Sequence, residues 1–247
     1  QSHAIHLAKD VLGGPMLMVF ADTLIDANFS FLANEQADAI AWVKPVPDPR
    51  RFGVAEVNAS GRVTRFVEKP QSLENNRVVV GFYYFRSGQA LMKAIEEQVR
   101  RNVSLKGEFF LTDAINILLE SGAKMRTQEV SVWLDAGIPD AVLETNRYLL
   151  AHGQDNSAEV AARFPEAILR PPVYVHPSAV LEGAVIGPFA AIGAGCTIRH
   201  AVITNSILDE NTKVENLVLE GSLLGRRVYA AGHADQLNLG DDAWIKK

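Results

Sequence analysis

From Met16 to Ala21 the chain is apolar without a break, and Ala39 to Val43 repeats the pattern, which predicts short strands buried on both faces. Val54 to Val57 and Arg62 to Val67 predict two more strands, joined by the hairpin signal Asn58-Ala-Ser-Gly61. Val78 to Phe85 is the most strand-like run, and Val130 to Leu134 is a further one. Around these runs the apolar spacing changes to three and four. His3 to Leu12 has that helical spacing and is stopped by Gly13-Gly14-Pro15. Gln89 to Arg100 sets Leu91, Ile95 and Val99 one turn apart, and Leu111 to Ser121 ends at Gly122, a C-cap glycine. Pro139 to Leu150 starts with proline in its first turn. Strands alternating with helices predict an α/β fold with a mostly parallel, Rossmann-like sheet and helices on both faces.

The pattern changes after His152. Gly153-Gln-Asp-Asn-Ser-Ala reads as the start of a linker and Arg170-Pro171-Pro172 as its end. Val180, Ile186, Ile192 and Ile198 then recur every six residues, with small or polar residues between them. A six-residue period is the mark of a parallel β-helix, in which one inward aliphatic per short strand stacks on the next. The register slips near Thr204 and partly resumes at Leu208 and Val214. The expected domains are 1–152 (α/β), 153–172 (linker) and 173–247 (β-helix).

Composition narrows the function classes. The 247 residues are 48% hydrophobic and 21% charged, as in ordinary globular proteins. No apolar run reaches the roughly 20 residues that a membrane-spanning helix needs. A net charge of −5 without a Lys/Arg cluster argues against a nucleic-acid surface. Cys196 is the single cysteine, so no internal disulfide or thiolate metal cluster forms, and a small buried packing role explains it. The chain reads as cytoplasmic. Its start, Gln-Ser-His-Ala-Ile, reads as entry partway through a domain.

Candidate chemistry gathers at strand ends. Asp22 closes Met-Leu-Met-Val-Phe-Ala, and Asp135 closes Val-Ser-Val-Trp-Leu. Taken alone, either is explained as a turn residue or helix N-cap. As a pair at the carboxyl ends of buried strands, they are placed to converge on one divalent cation in a phosphate site. Gly53 opens the hairpin, and Glu68-Lys69-Pro70 ends it with one acceptor and one cation, although a solvated turn also accounts for that tripeptide. Gly81 weakens its strand unless something must approach the backbone there, and one of Tyr83 and Tyr84 should point inward. Thr112 as N-cap with Asp113 in the first turn explains the start of its helix, whereas Glu108 lies upstream without such a reason.

Phe-Ala-Asp22, Phe-Gly53-Val, Val-Glu68-Lys69-Pro, Val-Gly81-Phe-Tyr83, Gly-Glu108 with Leu-Thr-Asp113, and Trp-Leu-Asp135-Ala-Gly, in this order, resemble the sugar-1-phosphate nucleotidyltransferases. The likeness runs over most of residues 1 to about 150, and its nearest branch is the glucose-1-phosphate thymidylyltransferases. It implies transfer of a nucleotidyl group from a nucleoside triphosphate to a sugar 1-phosphate, with release of pyrophosphate. It further implies Mg²⁺ held by Asp22 and Asp135, Lys69 on the sugar phosphate, and Gly53, Glu68, Gly81, Tyr83 and Glu108 around the sugar. Ala21-Asp22-Thr23 stands where the family usually has Gly-Asp-Asn. The family's glycine-rich loop, with its arginine and lysine, has no match in this chain, so the first third of the catalytic domain is expected to be missing and nucleotide binding to be poor.

Many members carry a left-handed β-helix, here expected to build a homo-oligomer. Two other readings stay open. In one the β-helix also transfers an acetyl group, with His176, His200 or His233 as base, although a surface corner explains each histidine. In the other the chain is a non-catalytic regulatory or assembly subunit.

Overall fold

The structure, a computed structural model, describes residues 1–232. The chain forms two compact units, Gln1–Asp135 and a second beginning at Ala136. The expected class, α/β followed by a β-helix, is observed in their order.

The first unit opens with helix α1 (Ser2–His6) and a 3₁₀ turn at Lys9–Val11 in place of one continuous helix. Strands β1 (Met16–Val19), β2 (Thr23–Asp26), β3 (Ala39–Pro45), β4 (Gly53–Val57), β5 (Val63–Glu68) and β6 (Arg77–Phe85) follow. Helices α2 (Gly88–Arg101) and α3 (Leu111–Glu120) lead to β7 (Met125–Glu129) and β8 (Val132–Asp135). The main sheet has the order β5-β4-β6-β3-β7, with β1 also on β6.

Only β3–β7 is parallel among these ladders; the others are antiparallel, where alternation of strands and helices had pointed to a mostly parallel sheet. The reason is local. β4 and β5 are joined by a hairpin turn, with Asn58 Oδ1 accepting the Ser60 and Arg62 amides, so no crossover helix reverses the chain there.

Helices cover one face and not both. Ala39, Ala41 and Val43 of β3 pack with Leu91, Ile95, Leu111 and Ile115 of α2 and α3. On the opposite face Ile40 and Trp42 pack under Phe29, Phe31 and Leu32 of a 3₁₀ turn (Ser30–Asn34), with Ile25 and Trp133 of the separate β2–β8 ribbon. β3 is therefore buried on both sides, as its unbroken apolar run requires. β1 is not, because Leu17 and Val19 are exposed and only Met16 and Met18 join the core. β7 escapes the sequence pattern, since Met-Arg-Thr-Gln-Glu has no apolar alternation to mark it.

The open edge of β5 is closed by a side chain. Asn116 of α3 accepts the Phe66 amide at 2.8 Å and donates to the Phe66 carbonyl at 2.9 Å, substituting for a neighbouring strand.

In the second unit, helix α4 (Pro139–Leu149) begins with proline as expected, and helix α5 (Ser157–Arg163) lies within the stretch read as a linker. α5 buries Val160 in the core of the β-solenoid that follows. Asn156 repeats the bidentate device of Asn116, accepting from the Val175 amide and donating to its carbonyl.

The solenoid has three four-stranded parallel sheets, about four turns, consistent with a left-handed β-helix. Ile186, Ile192, Ile198, Leu208 and Val214 point inward as predicted. Val180 does not; it is exposed, and Leu181 takes the inward place. The ladders explain the slip near Thr204. Ile192 stacks seventeen residues beyond Val175 and sixteen before Leu208, so each coil is one or two residues short of three hexads. Cys196 is buried, as expected for a packing residue.

Removing the Asn116 staple strands partly buried backbone groups of Phe66. Asn116→Ala should cost about 1–3 kcal/mol of stability, read as a lower urea midpoint. Asn116→Asp, which keeps the acceptor and loses the donor, should also destabilise.

Candidate functional site

The site begins with a strand that changes partners. Along one side β6 keeps β3 throughout. On the other side it pairs with β4 at Val78 and with β1 from Phe82 to Phe85. Between these stretches β6 bulges, and Gly81 adopts φ +77. A cleft of about 180 Å³ opens where β1 and β4 part.

Gly81 does have something against its backbone. The Phe20 amide donates to the Gly81 carbonyl at 2.9 Å, and a Cβ on Gly81 would stand 2.9 Å from the Phe20 ring. Phe20 in turn fixes the chain two residues before Asp22. Asp22 enters the β2–β8 ribbon, whose register sets Thr23 opposite Asp135. The two aspartates, 113 positions apart in the numbering, thus meet at one end of one two-stranded ladder, and both line the cleft.

Glu68 comes from the end of β5. Its Oε2 accepts from the Thr112 hydroxyl at 3.1 Å. Gly53 makes room for it, because a Cβ there would lie 3.0 Å from both Glu68 Oε2 and Thr112 Cγ2. Burial raises the Glu68 carboxyl above its ordinary pKa; the Thr112 hydrogen bond and the Lys69 charge oppose that shift, while Asp113 and Glu108 reinforce it. Tyr83 is buried, packs near Phe20 and Phe85, and its phenol is also raised, by burial and then by the Glu68 charge.

Asp22, Gly53, Glu68, Gly81, Tyr83 and Asp135 therefore line one cleft. Lys69 and Glu108 are not among its lining residues. Lys69 holds its Nζ 4.8 Å from the centre of the Phe110 ring, and Glu108 is half-exposed after the Lys106-Gly107 turn. Thr112 is not the N-cap of its helix. That place falls to Phe110, and Thr112 lies inside the first turn with its hydroxyl on Glu68.

Sequence reasoning also missed Arg51, Phe52 and Trp133, which line the cleft. Phe52 meets Trp133 edge to face at 5.1 Å, and the Trp133 indole N–H is buried without an acceptor. Arg51 had no signal beyond its place beside Phe-Gly53, whereas Trp133 stood in the Trp-Leu-Asp run without a role assigned to it.

Among the described residues no three His, Cys, Asp or Glu side chains gather as a metal-ligand cluster. Two carboxylates alone suit a cation that keeps waters and takes its other ligands from substrate phosphates.

In the solenoid, Ser178 Oγ accepts from the Gly195 amide and lies 2.9 Å from His176 Nδ1, which accepts the Ser178 amide. These contacts make His176 and Ser178 a corner clamp between neighbouring coils. His200 is exposed and lies over Gly183. His233 lies outside the described residues.

One sheet-end cleft thus gathers the paired aspartates and the glutamate held by Thr112. The family model for nucleotidyl transferases matches residues 2–152, and the chain belongs to that family. It is similar to the glucose-1-phosphate thymidylyltransferase of Streptomyces griseus, 27% identical over 97% of this chain and 74% of the relative. The glucose-1-phosphate thymidylyltransferase of Streptomyces antibioticus is 28% identical over 99% and 75%. The low-salt glycan biosynthesis nucleotidyltransferase Agl11 of Haloferax volcanii is 29% identical over 99% and 76%. No helix among the described residues is long and apolar enough to cross a membrane.

The raised Glu68 carboxyl has a consequence for stability. Folded Glu68 keeps its proton to higher pH than an unfolded glutamate, so the folded state binds more protons in that window and stability falls as pH rises through it. Glu68→Gln, which still accepts from Thr112, should melt above wild type at pH 8, with the difference shrinking towards pH 4. Thermal unfolding at both pH values reads the effect.

Proposed function

We propose that this chain joins a sugar 1-phosphate, with glucose 1-phosphate the first candidate, to a nucleoside triphosphate, releasing pyrophosphate and forming a nucleoside diphosphate sugar. The observation that carries the reading is the meeting of Asp22 and Asp135 on one ladder beside Glu68. The names of the relatives support the same chemistry.

In this reading a phosphate oxygen of the sugar phosphate attacks the α-phosphorus in line, and the bond from that phosphorus to pyrophosphate breaks. No covalent enzyme intermediate forms, so the protein's part is positioning and charge compensation. Asp22 and Asp135 would hold Mg²⁺, which neutralises charge that develops on the phosphates. Glu68, held by Thr112 in the space that Gly53 leaves, accepts from sugar hydroxyls, and Gly53 lines the pocket beside it. Gly81 and Tyr83 form the wall behind it. Arg51 is the guanidinium that lines the cleft, and Lys69, which rests over Phe110, supplies a second cation to the sugar phosphate, with Glu108 at the margin. The reading keeps the chain in the cytoplasm, which its single cysteine, Cys196, supports.

The reading includes a homo-oligomer formed through the β-helix. Its support is an outward column of aliphatics in register, Ile168, Val185, Val202 and Val218, of which Ile168 is 60% and Val218 74% exposed. Such a stripe is unusual on a surface that faces water alone.

Calorimetric titration with glucose 1-phosphate, with and without Mg²⁺, tests the reading. Saturable binding should weaken roughly 10- to 100-fold on loss of a charge-assisted contact, in Arg51→Ala and in Lys69→Ala. Asp22→Asn and Asp135→Asn should abolish the Mg²⁺ effect while leaving sugar-phosphate binding in its absence. Binding indifferent to all four changes would sink the assignment of this cleft.

A further inference from the structure

A second and larger cavity, about 630 Å³, lies in the same unit between β5, α3 and the end of α2. Its size falls in the range of small-molecule sites, about 300–1,000 Å³. Val63, Val103 and Ile117 give it an apolar lining. Its charged lining is uneven. Arg101 is already bound to Glu97 and Glu120, whereas Arg65 makes no salt bridge with another described residue and has the half-buried Asp113 as its electrostatic partner. The accessible cation is therefore Arg65, beside apolar side chains.

The groove is lined by both elements that build the Glu68 contact. β5 ends in Glu68, and α3 carries Thr112 in its first turn. The Asn116 staple to Phe66, which fixes the distance between those elements, belongs to the cavity lining itself. A molecule seated there touches the part that sets the Thr112–Glu68 hydrogen bond, without entering the cleft.

We propose that this groove is a second ligand site, for a small organic anion with an apolar body, its charge set against Arg65, and that its occupancy is transmitted through α3 to Glu68. The class follows from the lining, in which one accessible guanidinium adjoins a patch of aliphatic side chains. The site stands independently of the reaction assigned to the cleft.

The test uses the full chain and 8-anilino-1-naphthalenesulfonate, a probe with an aromatic body and one anionic group. Fluorescence titration should give a saturable isotherm that Arg65→Gln weakens at least tenfold and that Arg199→Gln, on the solenoid surface, leaves unchanged. Methyl NMR should show the Ile117 signal shifting with occupancy and the Thr112 methyl shifting along the same isotherm. Equal weakening by Arg65→Gln and Arg199→Gln, or an Ile117 signal that does not move, overturns the site. A Thr112 methyl that stays fixed while Ile117 shifts overturns the transmission to Glu68.

Discussion

The candidate site depends on one irregularity, the bulge of β6 at Gly81. A regular β6 would carry a single neighbour along its whole length, and no cleft would open on that side. The bulge lets β4 hold the first part of the strand and β1 the last, and their divergence is the cleft. The positive φ and the absence of a Cβ are both used, since Phe20 occupies the space a side chain would fill. From Phe20 the chain turns into Asp22 and the ribbon that brings Asp135 back.

Glycine does comparable work at Gly53. There the space is needed by a carboxylate and by the threonine that holds it. Two glycines thus position two carboxylates, one through an aromatic ring and one directly. A buried carboxyl with a raised pKa is the cost of that arrangement, and the Thr112 hydrogen bond only partly offsets it.

How much was legible follows from what each signal measures. Aspartates at the ends of apolar runs mark strand ends, and the six-residue period marks inward aliphatics; both depend on local burial and were readable. Partner choice between strands depends on connection geometry, so the antiparallel ladders and polar β7 were not. Thr112 was assigned to a cap because its sequence neighbours suffice for one, while its true partner, Glu68, lies 44 positions away. The place of Lys69 was not legible either, because its backbone leaves the extended region at φ +48 and its Nζ lies over the Phe110 ring, outside the cleft lining. Arg51 and Trp133 needed the cleft itself to be found. The displaced register at Val180 has a simpler cause, because coils of sixteen and seventeen residues cannot keep a strict hexad.

The charge of the cleft constrains any reading of its chemistry. Its lining holds the carboxyls of Asp22, Asp135 and Glu68 against the single guanidinium of Arg51. A phosphate ester entering such a surface meets like charge, and in a partly desolvated cleft that repulsion is weakly screened. The raised pKa of Glu68 lessens the conflict without removing it, since the two aspartates remain. A cation between the aspartates and the phosphate would relieve that repulsion. The proposed metal would therefore do more than assist a reaction, because it would also offset the charge that the geometry gathers at Asp22, Asp135 and Glu68.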